Sequence, residues 1–136
     1  MAAERDLWQL LASMDPVEVP GEFVFVSVAD GRALPSRAMV VEDEGVTHVL
    51  ARADADEYGL PYDFVAAWIT LRVHSALDAV GLTAAVAGAL SEAGISCNVI
   101  AGAFHDHLLV PHDRATDAIG VLQALRTRSA AGRTSG

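Results

Sequence analysis

The chain has 136 residues, which suffices for one compact unit or for two very small ones that share a core. The composition is 52% hydrophobic and 20% charged, which is typical of a globular protein and excludes an intrinsically disordered one. The formal net charge of −9, from 18 acidic and 9 basic residues, argues against nucleic-acid backbones and anionic membrane surfaces as partners.

The cysteine content and the N-terminus indicate a cytoplasmic protein. Cys97 is the single cysteine of the chain, so no internal disulfide can form. Residues 1–6 lead into a polar helix and not into an apolar signal core. The apolar runs also fall far short of the ~18–20 residues that span a bilayer. We therefore expect no membrane partner.

The first half of the chain predicts a short helix and a sheet. Apolar residues recur with helical spacing over residues 4–14, and the helix is expected to stop before Pro16 and to cover a sheet. Residues 22–28 are apolar on both faces, as in a central strand. Two further β-rich runs, 37–42 and 46–52, are predicted to form a hairpin with Gly45 in the left-handed conformation, and a polar interval follows over 53–61.

The second half predicts an α+β unit. The expected elements are strand, helix, strand, strand and helix, over residues 68–74, 83–93, 95–102, 107–110 and 113–126. This order becomes a ferredoxin-like βαββαβ unit if the N-terminal half supplies one more strand. We expect both helices on one face of an antiparallel sheet. Residues 127–136 are small and polar, and they predict a disordered tail.

The turn between the first strand and first helix of this unit is a candidate binding site. Gly81 can take a positive φ or let a ligand approach the backbone, and Thr83 can cap the following helix. The free N–H groups of a helix start favour a carboxylate or phosphate. The alternative is that Gly81 and Thr83 are only a turn residue and a cap.

Other polar residues each leave more than one interpretation open. His105, Asp106 and His107 are consistent with a metal site, with hydrogen bonding to a ligand, or simply with a solvated turn. Cys97 fits a nucleophile, but its position beside apolar strand residues favours a small buried hydrophobe without reactivity. Asn98, in mid-strand, needs either a neighbouring turn or a ligand as its partner.

Three segments resemble the ACT domains, small ferredoxin-like modules that bind amino acids and related metabolites. They are residues 74–83, 94–99 and 104–111, and the closest resemblance is to small bacterial tandem-ACT proteins, which are similar in layout to the ACT pairs of eukaryotic cytosolic arginine sensors. The resemblance implies an incomplete N-terminal ACT-like half over residues 1–62 and a C-terminal ACT domain over 63–126, packed side by side. It departs from the family in the first half, where no long helix separates strand 22–28 from the hairpin.

The resemblance also implies where a ligand lies, since ACT pairs commonly bind it at the interface of two modules, against the loop after the first strand. Mapped by position, and with His105 added from the hairpin turn, the candidate ligand-binding residues are His74, Ser75, Ala76, Leu77, Val80, Gly81, Leu82, Thr83, Cys97, Asn98 and His105. We expect no catalytic residues, no metal site and no cofactor.

The sequence therefore predicts a non-enzymatic regulatory protein that binds an amino acid or a related metabolite. One alternative is a protein–protein interaction or oligomerisation module, for example a homodimer formed through the sheet edge at residues 37–52. Another alternative is a small enzyme that uses Cys97 or the histidine cluster.

Overall fold

The computed structural model describes residues 6–73 and 76–135, with side chains up to residue 131. The elements are, in chain order, α1 (Leu7–Ser13), β1 (Pro16–Val28), β2 (Ser36–Glu42), β3 (Gly45–Ala51), α2 (Arg52–Glu57), β4 (Val65–Leu71), α3 (Leu82–Glu92), β5 (Asn98–Ala101), β6 (Asp106–Pro111), a 3-10 turn (His112–Arg114) and α4 (Ala115–Ser135).

All six strands belong to one antiparallel sheet in the order β2-β3-β1-β4-β6-β5. The first part of β1 pairs with β4, where Pro16 lies opposite Leu71, and its last part pairs with β3, where Val28 lies opposite Val46. The N-terminal half thus supplies the strand that completes the βαββαβ unit, and the ferredoxin-like prediction is confirmed.

The two halves share their central strands. Read from its outer edge, the first half has the order β2-β3-β1-β4, and the second half has the matching order β5-β6-β4-β1. Strand β1 is therefore the first strand of one half and the fourth strand of the other, and β4 has the reverse assignment. Residues 29–35 contain no helix, so the first half lacks a counterpart of α3, as the sequence indicated.

The helices α1, α3 and α4 pack on the same face of the sheet. Leu10 of α1, Val86 of α3 and Leu122 of α4 share one buried cluster with Ile69 and Leu71 of β4. The predicted placement of the two C-terminal helices on a single face is confirmed, and α1 covers the sheet with its apolar stripe as expected. The short helix α2 adds Ala55 to a second cluster, together with Val24 and Leu50.

Alternate residues of the strands point to the other side of the sheet, which we call the open face. Its buried centre comprises Phe23, Val49, Ala66, Trp68 and Leu109. Among the described residues no helix packs on this centre. Strand alternation explains the arrangement, since Ala67 and Ile69 face the helices while Ala66 and Trp68 face away.

The hairpin between β2 and β3 forms as predicted, and Gly45 is required there. Its φ is +147°, and a Cβ at this position would lie 2.5 Å from the carbonyl oxygen of Val28. The neighbouring atom is backbone and cannot rotate away, so no side chain fits.

The strand boundaries differ from the prediction. Strand β1 begins at Pro16 and not at residue 22, and β4 begins at Val65 and not at residue 68. Strand β4 also ends at Leu71 and not at residue 74, because its neighbours β1 and β6 both begin opposite Leu71. The strand predicted at 95–102 shrinks to Asn98–Ala101, since the N–H group of Ile95 donates to the carbonyl of Leu90 at 2.9 Å and closes helix α3. Alternation in the sequence continues after Leu71 and is already present before Asn98. It therefore does not reveal where pairing with the partner strands stops.

The prediction of a disordered tail at residues 127–136 is wrong, because α4 continues to Ser135. Ser129 is only 2% exposed, and its hydroxyl donates to the carbonyl of Leu125 at 2.7 Å. Helix α4 packs along α1, and the small side chains of residues 127–136 form no apolar pattern that would signal burial. Alanine and arginine are also strong helix formers, so the composition permits a helix.

Candidate functional site

A small cavity of about 70 Å³ lies between the start of α3 and the adjoining ends of β5 and β6. The residues that line it are Ala76, Leu77, Ala79, Leu82, Thr83, Ala101 and Asp106. Four of them, Ala76, Leu77, Leu82 and Thr83, are among the candidates predicted from the sequence. Two further candidates, His74 and Ser75, lie outside the described residues.

Helix α3 presents its first N–H groups without a side-chain cap. Gly81 is the N-cap residue, with φ +102°, and it offers no hydrogen-bonding side chain. The predicted capping role of Thr83 is wrong, because the glycine takes the cap position and places Thr83 within the first turn. The unsatisfied N–H groups and the positive end of the helix dipole attract an anionic group.

Gly81 and Val80 border the site without lining the cavity. A Cβ on Gly81 would lie 3.1 Å from a methyl carbon of Leu7, so the open side of this glycine faces α1. Val80 is 83% exposed. The turn conformation at Gly81 is therefore what matters for the site, because it sets where α3 begins.

Asp106, like Ala79 and Ala101, lines the cavity without being among the ligand-binding residues predicted from the sequence. It starts β6 opposite Leu71, on the helix side of the sheet. Burial raises the pKa of this carboxyl, while His107 and His105 oppose the shift. The sequence signal was present, because Asp106, Leu108 and Val110 alternate onto one face, but residue 106 had been assigned to the hairpin turn.

Three other predicted ligand residues lie away from the cavity. Asn98 is exposed opposite Leu109 on the open face, so the sheet separates it from α3. Cys97 packs half-buried against the helix-side core, and burial raises the pKa of its thiol. The Nδ1 atom of His105 lies 3.5 Å from the carbonyl oxygen of Val73, beside the hairpin.

His107 does not form a cluster with the cysteine. His107 lies on the open face, where its ring is 5.3 Å from that of Trp68, whereas Cys97 faces the helices. Within residues 6–73 and 76–131, no three His, Cys, Asp or Glu side chains are placed to hold a metal ion together.

Two larger clefts lie beside Glu22, in the middle of β1. One, of about 320 Å³, is lined by Glu22, Arg52 and Asp56 among others, and its neighbour of about 400 Å³ extends from Glu22 to Asp113. Both are wide open. In the first, two N–H groups of Arg52 already donate, one to Glu22 at 3.1 Å and one to the Tyr62 hydroxyl at 2.8 Å. Neither cleft offers an arrangement as specific as that at α3.

In the part of the chain that the structure describes, none of the helices is both long and apolar enough to span a bilayer.

A search among curated proteins finds no match. Among solved structures, a Vibrio cholerae protein of unknown function, described as a possible transport protein, is 42% identical. It has a TM-score of 0.81 over 88% of this chain and 95% of its own.

Two more distant structures share the fold. A protein from Agrobacterium tumefaciens is 19% identical with a TM-score of 0.60, over 83% of this chain and 89% of its own. The regulatory subunit of aspartate kinase from Thermus flavus is 10% identical with a TM-score of 0.56, over 81% and 95%. Family models for the ACT domain match residues 2–67 and 64–124. The chain therefore belongs to the ACT domain family and carries two ACT domains in tandem.

Proposed function

We propose that this protein is a regulatory protein that binds a free amino acid in the cavity at the start of α3. Its tandem ACT domains support a regulatory, ligand-binding role in general. The observation that carries the amino-acid assignment is the presence of Asp106 in the same cavity as the uncapped start of α3. The start of α3 favours an anion, and Asp106 favours a cation.

A free amino acid matches both walls at once. Its α-carboxylate accepts hydrogen bonds from the first N–H groups of α3, where the helix dipole adds to them. Its α-ammonium group binds the Asp106 carboxylate, and the half-buried position strengthens this pair relative to one in bulk water. A metabolite with only a carboxylate leaves Asp106 without a cation.

The size of the cavity limits how much of the ligand it holds. A volume of about 70 Å³ corresponds to roughly two water molecules at ~30 Å³ each. The cavity therefore takes the α-amino and α-carboxyl groups, and the ligand side chain extends past Leu77, which is 72% exposed. We propose that this apolar rim selects the side chain.

A thermal-shift screen of the free amino acids tests the proposal, and the best ligand is then compared with two of its own derivatives. The N-acetyl derivative removes the ammonium charge, and the amide removes the carboxylate. Both are expected to lose most of the stabilisation. The Asp106→Asn variant should also lose it, whereas Asp43→Asn, in the exposed hairpin turn, should not. Stabilisation by none of the amino acids would overturn the proposal.

We propose no catalytic role for Cys97 or the histidines. The nucleophile interpretation needs a thiolate, but burial raises the pKa of this thiol and disfavours the thiolate.

A self-association role is favoured by the edge strand β2. Three consecutive apolar residues, Met39, Val40 and Val41, are exposed there, and Val41 is 78% exposed. An exposed apolar edge strand is a template for pairing with another strand. Sedimentation velocity over a range of protein concentrations tests this role, and Val41→Lys should shift any dimer towards monomer. A monomer at every concentration would exclude it.

A further inference from the structure

The open face contains two aromatic rings that are buried although no described helix packs on them. Trp68 is 3% exposed, and its ring centroid lies 5.7 Å from that of Phe23. The side chain of Arg37 lies over both rings, with its guanidinium carbon 4.8 Å from the Trp68 centroid and 5.7 Å from the Phe23 centroid. The charged guanidinium of Arg37 thus covers the two apolar rings.

Local backbone geometry places Arg37 there. The register of β2 against β3 shifts between Ser36 and Ala38, so Arg37 is the extra residue of a β-bulge. The bulge directs its side chain onto the open face, beside Ala38, and the chain is long enough to reach across to Trp68 on β4.

The guanidinium of Arg37 makes no hydrogen bond or ion pair with any described residue. Other arginines do: Arg32, Arg52 and Arg114 each bind a carboxylate at 2.9–3.1 Å. Arg72, Arg126 and Arg128 also have no ion pair among the described residues, but of these unpaired arginines Arg37 is the one whose guanidinium lies over aromatic rings. Its cation–π contacts leave the N–H groups at the edge of the guanidinium free to donate.

A second donor lies on the other flank of Trp68. The Nδ1 atom of His107 is 3.3 Å from the indole Nε1 of Trp68 and 3.0 Å from the Thr70 hydroxyl. Since an indole N–H only donates, Nδ1 is the acceptor, and the neutral ring carries its proton on Nε2. Burial, as well as the charges of His105 and Arg37, lowers the pKa of His107 and favours this neutral form.

We propose that the open face binds a small carboxylate that carries an apolar or aromatic group. The carboxylate pairs with the guanidinium of Arg37, which suits its planar, two-oxygen geometry. The Nε2–H group of His107 is the further donor on this face. The apolar part of the ligand lies on half-exposed side chains around Trp68, namely Val17 and Val19 of β1 and Ile100 of β5.

This site is independent of the proposed amino-acid site. Trp68 faces away from α3, and its strand neighbour Ile69 lies in the helix-side core. The thickness of the sheet separates the two sites. If the experiments exclude binding at one site, the proposal for the other site is unaffected.

The two tryptophans provide a direct test, because each indole N–H gives one peak in a ¹H–¹⁵N NMR spectrum. The Trp8→Phe variant assigns the peaks, since Trp8 lies on α1, remote from the open face. We expect 3-phenylpropionate to shift the Trp68 peak to saturation. The neutral 3-phenylpropionamide, which has the same shape, should leave the peak in place.

The Arg37→Gln variant should weaken binding of 3-phenylpropionate by about tenfold or more, which corresponds to the loss of about 1.4 kcal/mol for one charge-assisted pair. Arg37→Lys should retain part of the affinity, and Arg72→Gln, at an exposed arginine outside the sheet, should retain all of it. An unmoved Trp68 peak, equal shifts with the amide, or unchanged binding by Arg37→Gln would each overturn the proposal.

Discussion

Replacement of Gly81 by alanine tests how the start of α3 is built. A residue with a Cβ in the left-handed region costs about 1–2 kcal/mol, and φ at this position is +102°. The new methyl group would lie 3.1 Å from a methyl carbon of Leu7, which is the flexible end of a half-buried side chain, so the contact adds at most about 1 kcal/mol. We expect Gly81→Ala to lower the free energy of unfolding by about 1–3 kcal/mol.

Urea denaturation followed by circular dichroism measures this loss. With a slope of about 2 kcal/mol per molar urea, the midpoint should fall by about 0.5–1.5 M. The double variant Leu7→Ala/Gly81→Ala separates the two causes, because removal of the leucine relieves the contact but not the backbone strain. The two single effects should then fail to add by about 0.5–1 kcal/mol. Exact additivity, or no loss of stability in Gly81→Ala, would refute the packing of α1 against this turn.

The same variant also tests the limits of the cavity. Because the Cβ would point at Leu7 and not into the cavity, Gly81→Ala should keep the stabilisation by the best amino-acid ligand to within a few degrees of the wild type. A folded Gly81→Ala protein that has lost all ligand-induced stabilisation would show that the ligand reaches this glycine.

Three other predictions concern residues away from α3. Cys97 should react with iodoacetamide at least about tenfold more slowly in the native protein than in urea at the same pH, because burial raises the pKa of its thiol; equal rates would contradict this. His107 has a lowered pKa in the folded state, so the unfolded state binds its proton more readily. Its contribution to stability is thus full above pH 6.5 and is lost as the pH falls towards the folded pKa. The melting temperature of wild type should therefore decline more steeply between pH 7 and 5 than that of His107→Gln, and parallel curves would rule this out. Deletion of residues 127–136 should cost about 1–2 kcal/mol of stability, because Ser129 is buried, whereas deletion of 132–136 should cost clearly less; equal losses would locate the packing elsewhere.

The sequence predicted the arrangement of the elements better than their ends. Period-two alternation identified β4, and helical spacing identified α1 and α3, because these patterns record which face of each element is buried. The ends of β4 and β5 depend on where partner strands stop, and that information lies in other segments of the chain. The C-terminal part of α4 was missed because it has no apolar stripe of its own, although Ser129 is buried there.

The candidate site was predictable in part. The turn before α3 was located from Gly81 and its neighbours, and four of the predicted residues line the cavity there. Asn98 does not line this cavity, because its side chain lies on the opposite face of the sheet. Asp106 was missed since one residue of register decides whether it belongs to a turn or to a strand.

Each of the strands β1 and β4 serves as the fourth strand of the other half, so the molecule cannot be divided cleanly into its two halves. A cut in the chain between residues 62 and 63, ahead of β4, leaves each fragment without its fourth strand. Each fragment then exposes the backbone of a central strand to water, and only the other fragment carries the segment that satisfies it. The pieces should consequently fold as a complementing pair and not singly, so that the two repeats in the sequence constitute one indivisible unit of stability.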